Sequence, residues 1–270
     1  MTYRLLENIE AKRTSLGMLT KGASPNMVRH MVAGGLDFII VDMMHSKVGW
    51  DEAAQLCWVA RADGMYPFIR IPSHPWGTGA HIVNRQFAVD AIRALSTCSE
   101  GVMWSISSFE EAELVAHMGS DWHQGIPVTS QKQVSEVQAG GLKRRLLIPL
   151  IESLGALERV DDVLALDGIS GVFMACTDLS HQLGHPHEYT HPEVEGALKA
   201  AARSAHARNK VIVANTGYIF PTVEGQIEHA GWLRNCGVDL VMLQTTEFYL
   251  YVITKLVSDG VRAKMEGPKS

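Results

Sequence analysis

The sequence predicts an α/β fold, a single (β/α)8 barrel of the TIM type with eight parallel strands. Eight short apolar segments recur along the 270 residues, and nearly all of them are followed by an amphipathic stretch. Such alternation is typical of parallel strands joined by crossover helices. An open, doubly wound sheet would account for most of the same pattern. Neither a linker nor an internal repeat is evident, which favours one domain over residues 1–270.

The predicted strands are the short apolar runs. The clearest is Phe-Ile-Ile-Val at residues 38–41, which is apolar on both faces as a barrel strand must be, and the weakest is at residues 16–19. In order, we predict strands at residues 16–19, 38–41, 67–71, 101–104, 146–151, 171–174, 211–214 and 240–243.

Capping residues mark several helices between these strands. Ser24 and Pro25 are typical of a helix start, and Gly34-Gly35 of its end. Ser108 to Glu111 (Ser-Phe-Glu-Glu) has the sequence of a capping box. We expect a loop and then a helix over residues 72–94, and mostly irregular chain over 119–144. The other helices are predicted at residues 24–34, 51–63, 108–118, 156–166, 192–209, 221–235 and 247–264.

Composition excludes several classes of function. The net charge of −5 contains no block of like charge, so nucleic-acid binding is not expected. No apolar run reaches the roughly 18 residues that cross a bilayer, and no signal peptide is evident, so we expect a cytoplasmic protein. The widely spaced Cys57, Cys98, Cys176 and Cys236 favour reduced thiols over a disulfide framework or a zinc site.

Polar side chains follow several of the predicted strands. Asp42 and His45 follow the second strand, Arg70 ends the third, Glu152 follows the fifth, and Asp178 comes shortly after the sixth. Because active sites of such barrels lie at the carboxyl ends of the strands, these residues are expected to share one rim. The sequence therefore predicts a polar site at the mouth of the barrel.

Each of these residues has a structural alternative. In the structural alternative, Arg70 has no role beyond pairing with a buried Asp42. Glu152 and Asp178 would each cap the helix that follows in the sequence. His45 taken alone fits a packed or surface histidine. The occurrence of all of them at successive strand ends is what favours a functional site.

The chemistry of this set is that of a metal-assisted lyase. Two carboxylates, Glu152 and Asp178, together with water suit a hard divalent cation such as Mg2+ or Mn2+. A 2-oxo acid chelates such an ion, which then acts as a Lewis acid at the carbonyl. Arg70 is placed to stabilise the oxygen as it becomes an enolate. His45, or a water that it orients, is placed to move the proton of a substrate hydroxyl.

Four segments resemble the HpcH/HpaI family, the class II, metal-dependent pyruvate aldolases. Two of them, IPLIES at 148–153 and GVFMACTDLSHQLGHP at 171–186, resemble the family's metal-glutamate and metal-aspartate motifs and are the most specific. The others, FIIVDMMHSKVGWDEA at 38–53 and PFIRIP at 67–72, resemble its histidine and arginine strands. The similarity runs over most of the chain and implies a barrel of the phosphoenolpyruvate/pyruvate type.

The resemblance also implies roles for individual residues. Glu152 and Asp178 would bind Mg2+ or Mn2+, with Co2+ as a further candidate. Arg70 would contact the 2-oxo oxygen and His45 would act in acid–base catalysis. The segment Ala175, Cys176 and Thr177 would lie against the substrate carboxylate.

The implied activity is cleavage of a carbon–carbon bond. A 4-hydroxy-2-oxo acid would be split to pyruvate, or a related 2-oxo acid, and an aldehyde through a metal-stabilised enolate, as in the breakdown of aromatic compounds. The resemblance further implies a homo-oligomer, a hexamer or trimer of dimers, that acts on a small molecule and contacts neither nucleic acid nor membrane.

Three positions depart from the family pattern. Met44 replaces an acidic residue, and Ala175 replaces a glycine. Ser96 replaces the aspartate that supports the histidine in the family, so Asp42 or Asp90 would have to support His45 instead. Two alternatives therefore stay open. One is the same metal chemistry applied to decarboxylation, acyl-CoA cleavage or another C–C bond, and the other is an oxo-acid-binding barrel without turnover.

A group of four histidines follows Asp178. His181, His185, His187 and His191 have loose spacing and no H-E-x-x-H pattern. We interpret them as part of a polar loop near the barrel mouth that is able to contact substrate, with a metal site as the alternative.

Overall fold

The chain forms a closed barrel of eight parallel strands in a computed structural model. The structure describes residues 3–71, 100–106, 146–217 and 222–266, together with 109, 110, 112, 113 and 116. The eight strands are β1 Ser15–Thr20, β2 Phe38–Asp42, β3 Tyr66–Arg70, β4 Gly101–Ile106, β5 Leu146–Ile151, β6 Gly171–Met174, β7 Val211–Asn215 and β8 Leu240–Thr245. All eight predicted strands are confirmed, and so is the barrel.

Each strand pairs in parallel with the next in sequence, and β1 closes the barrel by pairing with β8. Asp42 lies opposite Arg70 in the β2–β3 register, and Ile151 lies opposite Met174 in the β5–β6 register. Side chains that follow these strands therefore emerge next to one another at the same end of the barrel.

Nine helices are complete within the described part of the chain. They are α1 Arg4–Glu10, α2 Pro25–Ala33, α3 Trp50–Ala62, α4 Leu154–Glu158, α5 Val160–Ala165, α6 Cys176–Gln182, α7 Pro192–Ala207, α8 Val223–Asn235 and α9 Thr246–Glu266. Helix α2 begins as predicted, because the Ser24 hydroxyl accepts a hydrogen bond from the backbone N–H of Met27 at 3.3 Å. None of the described helices is both long and apolar enough to cross a bilayer.

The prediction of one helix over residues 156–166 is wrong in its form. Two short helices, α4 and α5, occupy this region, and Arg159 between them has φ −107° and ψ 15°, outside the helical range. The start lies earlier than predicted because Ser153 caps α4 by accepting from the N–H of Ala156. Of the helix predicted over 108–118, the described residues are helical. The predictions for residues 72–94 and 119–144 lie outside the described residues.

Two helices were not predicted, α1 and α6. Helix α1 buries Leu5, and the preceding Tyr3 donates a hydrogen bond from its hydroxyl to Glu100 Oε1 at 2.9 Å. The side chains of Tyr3 and Leu5 pack with the aromatic rings of the barrel interior. Because Glu100 immediately precedes β4, α1 covers the amino end of the barrel and leaves the carboxyl end for the site.

The buried side chains form two separate clusters. One lies inside the barrel and includes Ile40, Phe38 and Phe68, while the other lies between strands and helices and includes Ile39. The interior cluster depends on close approach of small and large residues. A Cβ on Gly17 would lie 2.2 Å from the ring of Phe38, so only glycine fits beside that ring.

Candidate active site

The predicted site residues lie at the carboxyl ends of the strands, on one face of the barrel. Asp42 and Arg70 are the last residues of β2 and β3, and Glu152 is the first residue after β5. Ala175 follows β6 directly, and Asp178 lies in the first turn of α6. Asp90, the other proposed support for the histidine, lies outside the described residues, as does position 96.

Asp42 holds the centre of this arrangement. Its carboxylate is fully buried and accepts hydrogen bonds from Arg70 Nε at 2.9 Å and Arg70 Nη2 at 2.7 Å, one on each oxygen. The same Oδ1 accepts from the backbone N–H groups of Met44 at 2.9 Å and His45 at 3.2 Å. Asp42 thus fixes both the guanidinium and the start of the loop that carries the histidine. The structural pairing of Arg70 with Asp42, raised as an alternative from sequence, is confirmed.

Arg70 also contacts His45, with Nη2 lying 3.0 Å from Nδ1 of the imidazole. Arginine has five N–H donors and no acceptor, so Nδ1 of His45 must be the acceptor in this bond. The ring is then neutral and carries its proton on Nε2. Among the residues that the structure describes, Nη1 of Arg70 has no hydrogen-bond partner, and its two N–H groups remain available to a ligand.

The electrostatic environment supports these protonation states. Burial alone would raise the pKa of Asp42, but the hydrogen bonds and charge of Arg70, with the two backbone N–H groups, outweigh it and lower that pKa. Burial lowers the pKa of His45, and the positive charge of Arg70 adds to this effect. His45 is therefore neutral near pH 7, in agreement with its role as acceptor from Arg70.

Neither metal-binding candidate caps a helix. The N-cap of α4 is Ser153, the residue after Glu152, and the N-cap position of α6 is Ala175 rather than Asp178. The capping alternatives are therefore wrong for Glu152 and Asp178. Glu152 is partly buried, and Asp178 is exposed at the barrel mouth.

Asp178 is linked electrostatically to the other candidates. Burial raises the pKa of Asp178 by desolvation. A hydrogen bond from its own backbone N–H, together with the charges of Arg70, His45 and His181, opposes this rise without cancelling it. The Ala175 N–H donates to the carbonyl of Ile151 at 3.3 Å, which places the start of α6 beside Glu152. Asp178 thus lies within electrostatic range of the Arg70–His45 pair, and Glu152 follows the strand next to the one that leads into α6.

Cys176 does not have the properties of a nucleophile. Its thiol is fully buried, and burial raises its pKa to about 12, so the thiolate is not populated near neutral pH. Its backbone N–H, by contrast, anchors the start of α6. We interpret Cys176 as a packing residue whose backbone shapes the rim.

Asn215 and Lys21 are two contributors that sequence reasoning did not assign. The Asn215 side chain, 6% exposed at the end of β7, accepts from the N–H of Cys176 at 3.1 Å and donates to Thr177 Oγ1 at 3.3 Å. Lys21 follows β1 directly, and its charge helps to lower the pKa of His45. Both stand at strand ends, which was the available sequence signal, but the partners depend on the folded geometry.

The departures from the expected motifs also have a structural setting. Met44 Sδ accepts a hydrogen bond from the hydroxyl of Ser105 at 3.3 Å, so this side chain turns towards β4. Among the residues that the structure describes, the imidazole of His45 is hydrogen-bonded by Arg70 and by no carboxylate, although Asp42 reaches it indirectly through Arg70 and through the His45 backbone N–H. Within that part of the chain, a guanidinium supports the histidine.

Comparisons with known proteins identify the family of the chain. The profile of the HpcH/HpaI aldolase/citrate lyase family matches residues 15–243. The 4-hydroxy-4-methyl-2-oxoglutarate aldolase tasA of Hapsidospora irregularis is 22% identical over 223 residues, which are 76% of this chain and 78% of that protein. A hydroxypyruvate/pyruvate aldolase of Roseovarius nubinhibens is 22% identical over 247 residues, or 86% of this chain and 88% of that protein.

Solved structures show the same fold. The crystal structure of the citrate synthase SbnG superposes with a TM-score of 0.76 at 18% identity, over 97% of this chain and 99% of that chain. The family match, which covers most of the residues from β1 to β8, is the finding that decides the assignment. The chain belongs to the HpcH/HpaI aldolase/citrate lyase family and is a carbon–carbon lyase.

Proposed function

We propose that the chain cleaves a 4-hydroxy-2-oxo acid to pyruvate, or a related 2-oxo acid, and an aldehyde, and that it requires a divalent cation. The observation that carries the proposal is the Arg70–His45 pair, joined at 3.0 Å and held by buried Asp42 at the barrel mouth. The activities named for the two relatives, both oxo-acid aldolases, support the substrate class.

Arg70 is proposed to bind the 2-oxo oxygen. When the C3–C4 bond of the substrate breaks, its electron pair moves towards C3 and negative charge grows on this oxygen. With respect to the described part of the chain, the two Nη1 N–H groups are free to donate to it, and Asp42 holds the guanidinium in place. Removing one such donor from a transition-state oxyanion commonly slows turnover by about 100- to 1,000-fold.

His45 is proposed to act on the 4-hydroxyl through its Nε2–H. Cleavage requires this hydroxyl to lose its proton, yet a ring that accepts from Arg70 at Nδ1 presents a donor on its other side. The proton is therefore proposed to pass to a water that accepts a hydrogen bond from Nε2–H, and from that water to bulk solvent, rather than to the imidazole. His45 Nε2–H also stabilises negative charge that develops on the 4-oxygen.

The residues present fit a divalent cation at Glu152 and Asp178. Both offer carboxylate oxygens, the ligands that Mg2+ and Mn2+ prefer, and both follow strands that are neighbours in the barrel. When bound, such an ion polarises the 2-oxo group and takes up negative charge. We propose that the Thr177 side chain and the adjacent backbone of Ala175 and Cys176 hold the substrate carboxylate beside it.

The test is pyruvate release from 4-hydroxy-2-oxo acids, measured with a coupled dehydrogenase. We expect EDTA to abolish release, and Mg2+, Mn2+ or Co2+ to restore it. Glu152→Gln and Asp178→Asn are expected to lower kcat/KM by about 100-fold or more, since each removes a charged ligand. The control is Asp161→Asn, an exposed carboxylate in α5. Full activity in EDTA or in Glu152→Gln would contradict the metal requirement.

A second candidate applies the same site to another C–C bond. It is favoured by the hydrogen bond from Arg70 to His45 Nδ1, which occupies the basic nitrogen of the imidazole. An aldol cleavage, which begins with loss of the proton from the 4-hydroxyl, then lacks His45 as a base. Decarboxylation of oxaloacetate needs no such base. The same assay with oxaloacetate and with acyl-CoA thioesters separates the candidates, because turnover of aldol substrates alone excludes this one.

The protein is also proposed to form a homo-oligomer through α9, a hexamer or trimer of dimers as the family resemblance implies. This helix has 21 residues, yet among its apolar side chains in the described chain only Val252, at 5% exposure, is buried. Seven large apolar side chains on it are exposed: Leu250, Tyr251, Ile253, Leu256, Val257, Val261 and Met265. A continuous apolar face of this kind marks a protein interface.

We propose a second copy of the chain as the occupant of α9, since the helix packs on β1 and β8 and its residues from Ile253 onwards are almost all exposed. We expect the double variant Leu250→Asp/Leu256→Asp to reduce the molar mass measured by light scattering to that of a monomer. Lys255→Asp, on the same helix, is the charge-change control. An unchanged mass in the double variant would exclude this face as the interface.

A further inference from the structure

A second group of ligand side chains lies outside the site described above, between α6 and α7. It consists of His185, His191 and Glu193, whose ligand atoms all lie within 4.8 Å of one another. His185 Nε2 is 3.2 Å from Glu193 Oε2. The two imidazole rings are stacked, with centroids 3.3 Å apart and planes inclined by 20°. We call these three residues the His-His-Glu cluster.

The backbone fixes the positions from which these side chains extend. Helix α6 ends at Gln182, and Gly184 in the turn that follows has a φ of 82°, which suits glycine. The His185 N–H then donates to the carbonyl of Ser180 at 2.8 Å. His191 is the N-cap of α7, and its Nδ1 accepts from the Glu193 N–H at 3.3 Å. A short, hydrogen-bonded turn therefore holds the cluster together before any ligand arrives.

The donor types select the kind of cation. Two imidazoles and one carboxylate suit zinc and its neighbours among the d-block ions, whereas Mg2+ and Mn2+ prefer sites made of oxygen. Tetrahedral bonds of about 2.1 Å place ligand atoms about 3.4 Å apart. The distance from His185 Nε2 to Glu193 Oε2 already meets this spacing. No two ligand atoms of the cluster are more than 4.8 Å apart, so the most distant pair has to approach by about 1.4 Å at most.

Closure requires the two stacked imidazole rings to rotate, because parallel rings do not direct their nitrogens at one point. His185 and His191 are partly buried and Glu193 is exposed, so an ion has access and the carboxylate is able to turn towards it. Three protein ligands leave one tetrahedral position for water. We propose that the His-His-Glu cluster binds one Zn2+-class cation, at a site separate from Glu152 and Asp178.

The ion would act on the segment that adjoins the active site. His185 lies seven residues after Asp178, and His181 on the last turn of α6 already influences the pKa of Asp178. A cation shared by His185 and the first turn of α7 ties the end of α6 to a 16-residue helix packed on the barrel. This inference stands on the cluster alone and does not depend on the proposed lyase substrate.

The test is Zn2+ binding to metal-free protein in excess Mg2+, which occupies carboxylate sites. Calorimetry is expected to show one tight equivalent in the wild type, and Co2+ in place of Zn2+ is expected to give the intense visible bands of a tetrahedral complex. His185→Ala and His191→Ala are expected to weaken the affinity by about 100-fold or more, since each removes a direct ligand. Glu193→Gln is expected to weaken it less, because the amide oxygen remains.

Two controls separate this site from the others. His206→Ala removes a surface imidazole that pairs with Asp239 at the other end of the barrel, and it is expected to bind Zn2+ as the wild type does. Glu152→Gln is expected to lose lyase activity and keep the Zn2+ equivalent. The proposal is overturned if wild type takes up no Zn2+ in Mg2+, or if His185→Ala and His191→Ala bind it unchanged.

Discussion

The most direct test of the site is Asp42→Asn. The substitution keeps an oxygen that can serve Arg70 Nε and the two backbone N–H groups, but it turns an NH2 group towards Arg70 Nη2 and removes the negative charge. Arg70 is 9% exposed, so its buried charge would lose the counter-charge to which it is hydrogen-bonded.

The expected loss of stability follows from this geometry. Breaking a buried ion pair by removal of one partner costs about 3–5 kcal/mol, and we take about 3 kcal/mol because most of the hydrogen bonds survive. For a chain of this size such a loss lowers Tm by roughly 10 °C. We further expect kcat to fall by about 100-fold, because Arg70 no longer points its Nη1 donors at the substrate.

A matched control exists at the other end of the same strand. Asp37 immediately precedes β2, is 6% exposed, and accepts from Arg4 Nε and from the Leu16 N–H. Arg4 is about half exposed, so Asp37→Asn is expected to cost only about 1 kcal/mol and to leave kcat unchanged.

Urea unfolding and pyruvate-release kinetics on the two variants decide the matter. If Asp42→Asn loses stability but turns over as fast as wild type, Arg70 does not depend on Asp42 for its action and the reasoning is refuted. If Asp37→Asn loses as much kcat as Asp42→Asn, the effect belongs to the barrel and not to the site.

Two further predictions concern the neighbouring elements. Asn215→Ala is expected to lower the free energy of unfolding by about 1–2 kcal/mol, because the Cys176 N–H and Thr177 lose the partner that sets the start of α6. We also expect it to raise KM for the oxo acid more than it lowers kcat, which steady-state kinetics check. His229 is buried and accepts from the Gly217 N–H, and burial lowers its pKa to about 4. In the unfolded chain the imidazole of His229 takes up a proton near pH 6.5. The stability that neutral His229 contributes is therefore complete above pH 6.5 and is lost as the pH falls towards 4, by about 3 kcal/mol at most. His229→Gln is expected to flatten the fall in unfolding free energy over that range in urea titrations at several pH values.

The barrel could be predicted from sequence because its strands are apolar on both faces. Residues 38–41 and 146–151 read as strands with no tertiary information, since few other structures bury such runs completely. Helix α1 escaped notice because only Leu5 and Asn8 of its seven residues are buried, which leaves almost no periodic apolar signal. The break at Arg159 was equally invisible, because Val160, Val163 and Leu164 continue a helical spacing through it.

The site could be predicted as a set of residues but not as a set of contacts. Position at a strand end identified Asp42 and Arg70 together, and the parallel register explains why they meet. The bond from Arg70 to Nδ1 of His45 depends on the course of the loop after β2, which a single sequence does not encode in any local pattern. The protonation state of His45 therefore became accessible only with coordinates.

The division of the buried side chains into two clusters has a consequence for redesign. Ile39 and Ile40 are neighbours in β2, but one supports the surrounding helices and the other fills the space beneath the site. A single layer of backbone separates the two compartments. A redesign that changes the space beneath the site would therefore substitute Ile40 and would keep Ile39, which holds the surrounding helices in place.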